Sequence, residues 1–135
     1  MRFAEMQLGM AADVSKIVSM MDIVGFAELT GDSNPLHLDP EFAENTRFCG
    51  VISHGMLTAG LLSTVLGMKL PGTGAVYTSQ TLTFVGPVRP GDTITARAEV
   101  VELVSQGRRV RLHTRITNQR GETVIDGEAW MFLME

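Results

Sequence analysis

Two stretches in the C-terminal half of the chain alternate strictly between apolar and polar residues. Ile94, Ala96, Ala98 and Val100 fall between Thr93, Thr95, Arg97 and Glu99; Val110, Leu112 and Ile116 face one way while Arg109, Arg111, His113 and Arg115 face the other. A period of two is the mark of a half-buried strand. Pro90-Gly91-Asp92 supplies a turn ahead of the first stretch, and residues 118–121 turn the second into a last predicted strand over 123–133. A further run over 76–85, rich in Val, Tyr, Thr and Phe, ends at Gly86-Pro87 and predicts one more strand. Strands joined by such short turns imply an antiparallel sheet.

The N-terminal half has a different texture. A short strand is expected over 14–20, overlapping a helix start at Ser19-Met-Met-Asp22 that leads into 23–29 and stops at Gly31. Asp39-Pro40-Glu41 combines an N-cap, a proline at the first helical position and an acid in the first turn, so a short helix should run to about Asn45. Residues 56–70 carry Leu57, Leu61, Leu62, Val65, Leu66 and Met68 and predict a long helix, closed by Pro71-Gly72-Thr73-Gly74. It is apolar nearly all round, which predicts burial rather than a surface position. One long buried helix needs a sheet to wrap it.

Nothing in the composition divides the chain. At 135 residues, 44% hydrophobic and 19% charged, it is expected to form one globular domain over 1–135. A net charge of -4 disfavours nucleic acid and anionic membranes as partners. The single Cys49 excludes an internal disulfide, and neither a secretory signal nor a membrane-spanning run is present, so a cytoplasmic protein is expected. Nine methionines suit an adaptable apolar interior.

Chemistry concentrates in Asp32-Ser33-Asn34-Pro35-Leu36-His37. Proline pushes Asn34 out of the α region, so Asp32 and His37 should sit on a rigid bend where their side chains can converge. A carboxylate that only accepts and an imidazole that both donates and accepts can together orient one water and move its protons. The same residues are also good turn chemistry, and taken alone they favour the turn.

The sequence resembles the MaoC-like (R)-specific enoyl-CoA hydratases. Asp32-Ser-Asn34-Pro35-Leu-His37 is similar to the hydratase motif of that family, and Ser53-His54-Gly55-Met56 to the start of its central helix. The likeness continues through Phe84, Pro90-Gly91-Asp92 and Gly127-Glu128-Ala129. It implies an α+β hot-dog fold, an antiparallel sheet wrapped around a long central helix with short overhanging helices before it. It also implies a homodimer, an enoyl-CoA substrate, and syn hydration of trans-2-enoyl-CoA to (R)-3-hydroxyacyl-CoA, an activity linked in small members to polyhydroxyalkanoate supply. Asp32 and His37 would share the catalytic water, with Asp32 as main base and His37 as main proton donor. The Gly55 N–H, at a helix N-terminus, would face the enolate oxygen of the thioester.

Ser63, about two helical turns beyond Gly55, is expected in the substrate pocket, where the matching serine of the family lies; a serine bonding back into its own helix explains it equally well. Asn34 is expected at the substrate pocket as a brace for the loop rather than a chemical group, His54 should be structural and help to position Gly55, and Phe84 and Trp130 are candidate pocket walls or plain core. Trp130 in the pocket would favour short enoyl chains. Lys69, Arg47 and Arg89 are candidate contacts for the CoA phosphates.

No cofactor or metal is expected. Gly72-Thr-Gly74 lacks the rest of a dinucleotide loop, and the separations of His37, Cys49 and His54 match no common metal site. Cys49 with His54 as a nucleophilic pair lacks a third orienting group. A hot-dog thioesterase, or a dehydratase acting on acyl-carrier protein, normally draws a carboxylate from the central helix, and residues 55–70 contain no Asp or Glu. A noncatalytic acyl-CoA binding domain is the alternative from another class, and it would not need Asp32 and His37 together.

Overall fold

A computed structural model describes all residues from Met1 to Glu135. In chain order the main elements are strand β1 (Ala11–Ile17), helices α1 (Met20–Thr30), α2 (Pro35–Leu38), α3 (Pro40–Glu44) and α4 (Gly55–Met68), and strands β2 (Ala75–Gln80), β3 (Thr83–Phe84), β4 (Thr93–Val104), β5 (Arg109–Thr117) and β6 (Thr123–Leu133). The strands form one antiparallel sheet in the order β1-β4-β5-β6-β2, with β3 also pairing to β6. This sheet curls around α4, the hot-dog arrangement. No helix is long and apolar enough to cross a membrane.

The alternation seen in the sequence sets which side of the sheet meets the helix. Ile94, Ala96, Ala98 and Val100 of β4, and Val110, Leu112 and Ile116 of β5, are all buried, as are Ile125, Ala129, Met131 and Leu133 of β6. Leu62, Val65 and Leu66 of α4 join the same apolar cluster, each 1% exposed or less. Full burial of a side chain of this size contributes about 1.5–3 kcal/mol. The opposite face of the sheet carries Arg97, Arg109, Arg111, His113 and Arg115, where Arg111 pairs with Glu102 and Glu128, each at 2.9 Å.

Four features differ from expectation. The first strand covers 11–17 rather than 14–20, because Ser19 already caps α1, accepting from the Asp22 N–H, and because Val18 is bonded to the turn before β4 (Val18 N–H to Asp92 O, 2.9 Å; Gly91 N–H to Val18 O, 2.7 Å). The expected strand over 76–85 is two strands. Its break lies over Gly127, where a Cβ would stand 1.9 Å from the Thr81 carbonyl oxygen, so only glycine admits the crossing. The bend at Pro35 winds into the single helical turn of α2. Finally, α4 is not buried all round: Met56, Gly60, Ser63, Thr64 and Met68 form an exposed stripe, since the sheet reaches only one side of the helix.

The Pro90-Gly91-Asp92 turn is held by Asp92 itself. Its carboxylate accepts from the Arg89 N–H at 2.9 Å and from the Gln119 amide at 2.8 Å. Burial raises the carboxyl group, but these two hydrogen bonds and the nearby Arg120 and Arg89 charges more than offset it and hold Asp92 below the usual carboxylate range.

Candidate active site

The loop between α1 and α2 is built by local side-chain hydrogen bonds. Gly31 ends α1 in the left-handed region (φ 83°), and the Asp32 N–H donates to Thr30 Oγ1 at 3.2 Å. Asp32 Oδ1 accepts from the Asn34 N–H at 3.3 Å, and Asn34 Oδ1 caps α2 by accepting from the Leu36 N–H at 3.0 Å. Asn34 is therefore a brace, and Pro35 occupies the first helical position, where its missing N–H costs nothing. One turn on, the same short helix presents His37, 9% exposed.

His37 Nδ1 lies 2.8 Å from the Ile52 carbonyl oxygen. A carbonyl only accepts, so Nδ1 carries the hydrogen and Nε2 is the ring's working nitrogen, an acceptor when the imidazole is neutral and a donor when it is protonated. Asp32, exposed to solvent, belongs to the same cluster: one ligating atom from each of Asp32, His37 and His54 lies within 4.8 Å of the others. The carboxylate and the imidazole thus converge as the Pro-centred bend predicts.

Next to them α4 begins. Its N-cap His54 makes no side-chain capping bond, so the first N–H groups of the helix, starting with Gly55, are left for another acceptor. Gly55, Thr58, His37, Phe48 and Phe84 line one cavity of about 480 Å³, with Arg47 also on its wall. A Cβ on Gly55 would stand 2.6 Å from Phe84 Cε1, so the lack of a side chain lets the aromatic ring lie against the start of the helix. His37 brings an imidazole to the cavity wall with the Asp32 carboxylate close behind it, and the start of α4 brings free backbone donors at the positive end of a helix.

Residues 5–122 match the MaoC like domain. The chain belongs to the MaoC-like family. Among relatives of this MaoC-like chain, it is 50% identical over 127 residues to a 3-hydroxybutyryl-CoA dehydratase of Methylorubrum extorquens, covering 94% of the chain and 80% of the relative. It is 45% identical, with 94% and 88% covered, to an (R)-specific enoyl-CoA hydratase of Rhodospirillum rubrum. Its structure superimposes on the (R)-hydratase from A. caviae involved in PHA biosynthesis with a TM-score of 0.93 at 43% identity, covering 96% of this chain and 98% of that one.

Of the four expected pocket residues of this MaoC-like chain, Phe84 lines the cavity and three do not: Asn34 is spent on the α2 cap, and Ser63 and Trp130 lie elsewhere. Ser63 is on the exposed stripe of α4, away from the cavity: eight residues at about 100° each overshoot two full turns by about 80°, so it does not share the side of Gly55. Trp130 is on the outer face of the sheet, beneath the Arg109 and Arg111 guanidinium groups at 5.4 and 5.9 Å, because Ala129 and Met131 take the inward positions of β6. Of the three candidate phosphate contacts, only Arg47 borders the cavity. Arg89 bonds the Phe48 carbonyl, and Lys69 bonds the Asp13 carbonyl at 2.8 Å.

His54 is tied to the Asp32–His37 loop more closely than a residue that merely positions Gly55. It is 3% exposed, stacks on His37 with ring centroids 4.0 Å apart, and has Phe26 on another side at 4.7 Å. Its Nε2 lies 3.0 Å from the Asp32 carbonyl oxygen. The sequence signal is slight, a histidine just before a helix-opening glycine, because the contact spans 22 positions.

Proposed function

We propose that the protein is an (R)-specific enoyl-CoA hydratase, adding water reversibly and syn across trans-2-enoyl-CoA to give (R)-3-hydroxyacyl-CoA. The observation that carries this reading is the convergence of Asp32 and His37, on one short loop, with the uncapped N-terminus of α4 beside a single cavity. The relatives named as hydratase and dehydratase describe the two directions of one reaction.

In the proposed step a water bridges the Asp32 carboxylate and His37 Nε2. Its oxygen bonds to Cβ as Asp32 takes a proton, and the π pair of the alkene moves onto the thioester as an enolate. The Gly55 N–H, at the positive end of α4, stabilises the enolate oxygen. Protonated His37 then returns a proton to Cα, leaving Asp32 protonated and His37 neutral; transfer of one proton between them resets the pair. Both groups approach from one face, which makes the addition syn.

The chain acts as a homodimer in this reading, with the exposed stripe of α4 and the exposed Phe84, Val85 and Tyr77 among the surfaces open to a second copy. Arg47 is the proposed contact for the CoA phosphates, and the product is suited to use as a polyhydroxyalkanoate monomer. Loss of enoyl absorbance from crotonyl-CoA, with chiral analysis of the product, tests the activity. Hydration to the (R) alcohol supports it; release of free CoA thiol marks a thioesterase, and binding without turnover marks an acyl-CoA binding domain.

A further inference from the structure

We infer that His54 is a positioning residue that holds the Asp32 loop against His37, an inference that rests on the hydratase reading above. Three anchors of the site come from one short segment: the Ile52 carbonyl holds His37 Nδ1, the His54 ring holds the Asp32 carbonyl, and Gly55 opens α4. That segment is itself fixed to the rest of the fold by the Ser53 N–H, which donates to the Val88 carbonyl at 2.7 Å. Asp32 makes two other hydrogen bonds, to Thr30 Oγ1 and from the Asn34 N–H. Both are local to the loop and its ends, whereas the bond from His54 Nε2–H ties Asp32 to the segment that also holds the His37 ring.

A second observation separates this role from simple filling of space. His54 Nδ1 is the one buried side-chain nitrogen or oxygen of the chain without a hydrogen-bond partner. An unpaired buried polar atom is destabilising, whereas an apolar ring of the same shape would be free of that cost. The imidazole is therefore a poor choice for packing between Phe26 and His37, and its value lies in the other nitrogen, which reaches Asp32.

The test compares His54→Phe, which keeps the ring and the stacking but removes the donor, with His54→Gln, whose terminal amide can reach the same carbonyl. The expected result for His54→Phe is a thermal midpoint at or above that of the unsubstituted protein, a kcat for crotonyl-CoA hydration lower by about 10²-fold, as for a misplaced catalytic group, and a KM little changed. His54→Gln should recover much of that loss. Amide hydrogen exchange at 32–34 should speed up in His54→Phe and stay slow in His54→Gln. Full kcat in His54→Phe, or equal losses in the Phe and Gln variants, overturns the inference. If His54→Phe does not fold, His54→Asn, whose amide is too short to reach, replaces it and must be less active than His54→Gln. If the unsubstituted protein hydrates no enoyl-CoA, the hydratase reading fails, and unchanged exchange at 32–34 then overturns the positioning role independently.

Discussion

Replacing Gly55 by alanine probes the junction between the helix N-terminus and the cavity. The new Cβ would lie 2.6 Å from Phe84 Cε1 and 2.7 Å from Cδ1, where carbon atoms ordinarily approach to about 3.5–4.0 Å. An overlap of about 1 Å must be relieved. Phe84 is 52% exposed, so its ring can swing outward, which places the folding cost near the low end of the overpacking range, about 1 kcal/mol. Alanine is also a better helix former than glycine by up to about 1 kcal/mol, so the two terms nearly cancel and the thermal midpoint should stay close to that of the unsubstituted protein. Activity should not. A displaced Phe84 and a methyl group at the start of α4 disturb the proposed oxyanion donor, the Gly55 N–H, and loss of one such donor costs about 10²–10³ in kcat. The assay is steady-state hydration of crotonyl-CoA by Gly55→Ala, Phe84→Ala and the double variant. Because the clash needs both groups, Phe84→Ala should rescue part of the Gly55→Ala loss, a coupling of about 1–3 kcal/mol. Unchanged kcat/KM in Gly55→Ala, or strictly additive effects, would show that the Gly55–Phe84 contact does not shape the site.

Asp92 gives a pH prediction. Its carboxyl is held below the usual range in the folded state, so its stabilising contribution is present above the unfolded-state value and disappears as pH falls through the folded one. Asp92→Asn should cost about 1–3 kcal/mol at pH 7 and little in strong acid, which thermal melts across pH 7 to 3 will show as converging curves. Trp130→Ala should leave the acyl-chain preference unchanged when rates on C4 to C8 enoyl-CoAs are compared, since the ring lies under Arg109 and Arg111 on the far face of the sheet. Leu66→Ala, at a fully buried position of α4, should destabilise by about 2–5 kcal/mol in urea titration.

The parts of this molecule that were legible in its sequence are those governed by local chemistry. Alternation fixed the inward faces of β4 and β5, Asp39-Pro40 marked the start of α3, and the Pro35 bend brought Asp32 and His37 together. What escaped depended on contacts through space. The split of β2 from β3 follows from the approach of Thr81 to Gly127, which no reading of 76–85 alone contains. Trp130 is large and apolar, and that character points inward, but strand parity with Ala129 and Met131 turns it outward. Ser63 was misplaced by the gap between eight residues and two whole helical turns. The link from His54 to Asp32 arises only when the start of α4 packs beneath the loop.

The central claim is that Asp32 and His37 act on one water from one face of the substrate. Hydration of crotonyl-CoA in D₂O, followed by NMR of the 3-hydroxybutyryl product, reads this directly. The expected product carries deuterium at Cα on the same face as the new hydroxyl and the (R) configuration at Cβ, and the reaction is lost in Asp32→Asn and His37→Ala variants that remain folded. Anti addition, or full turnover in either variant, would contradict it.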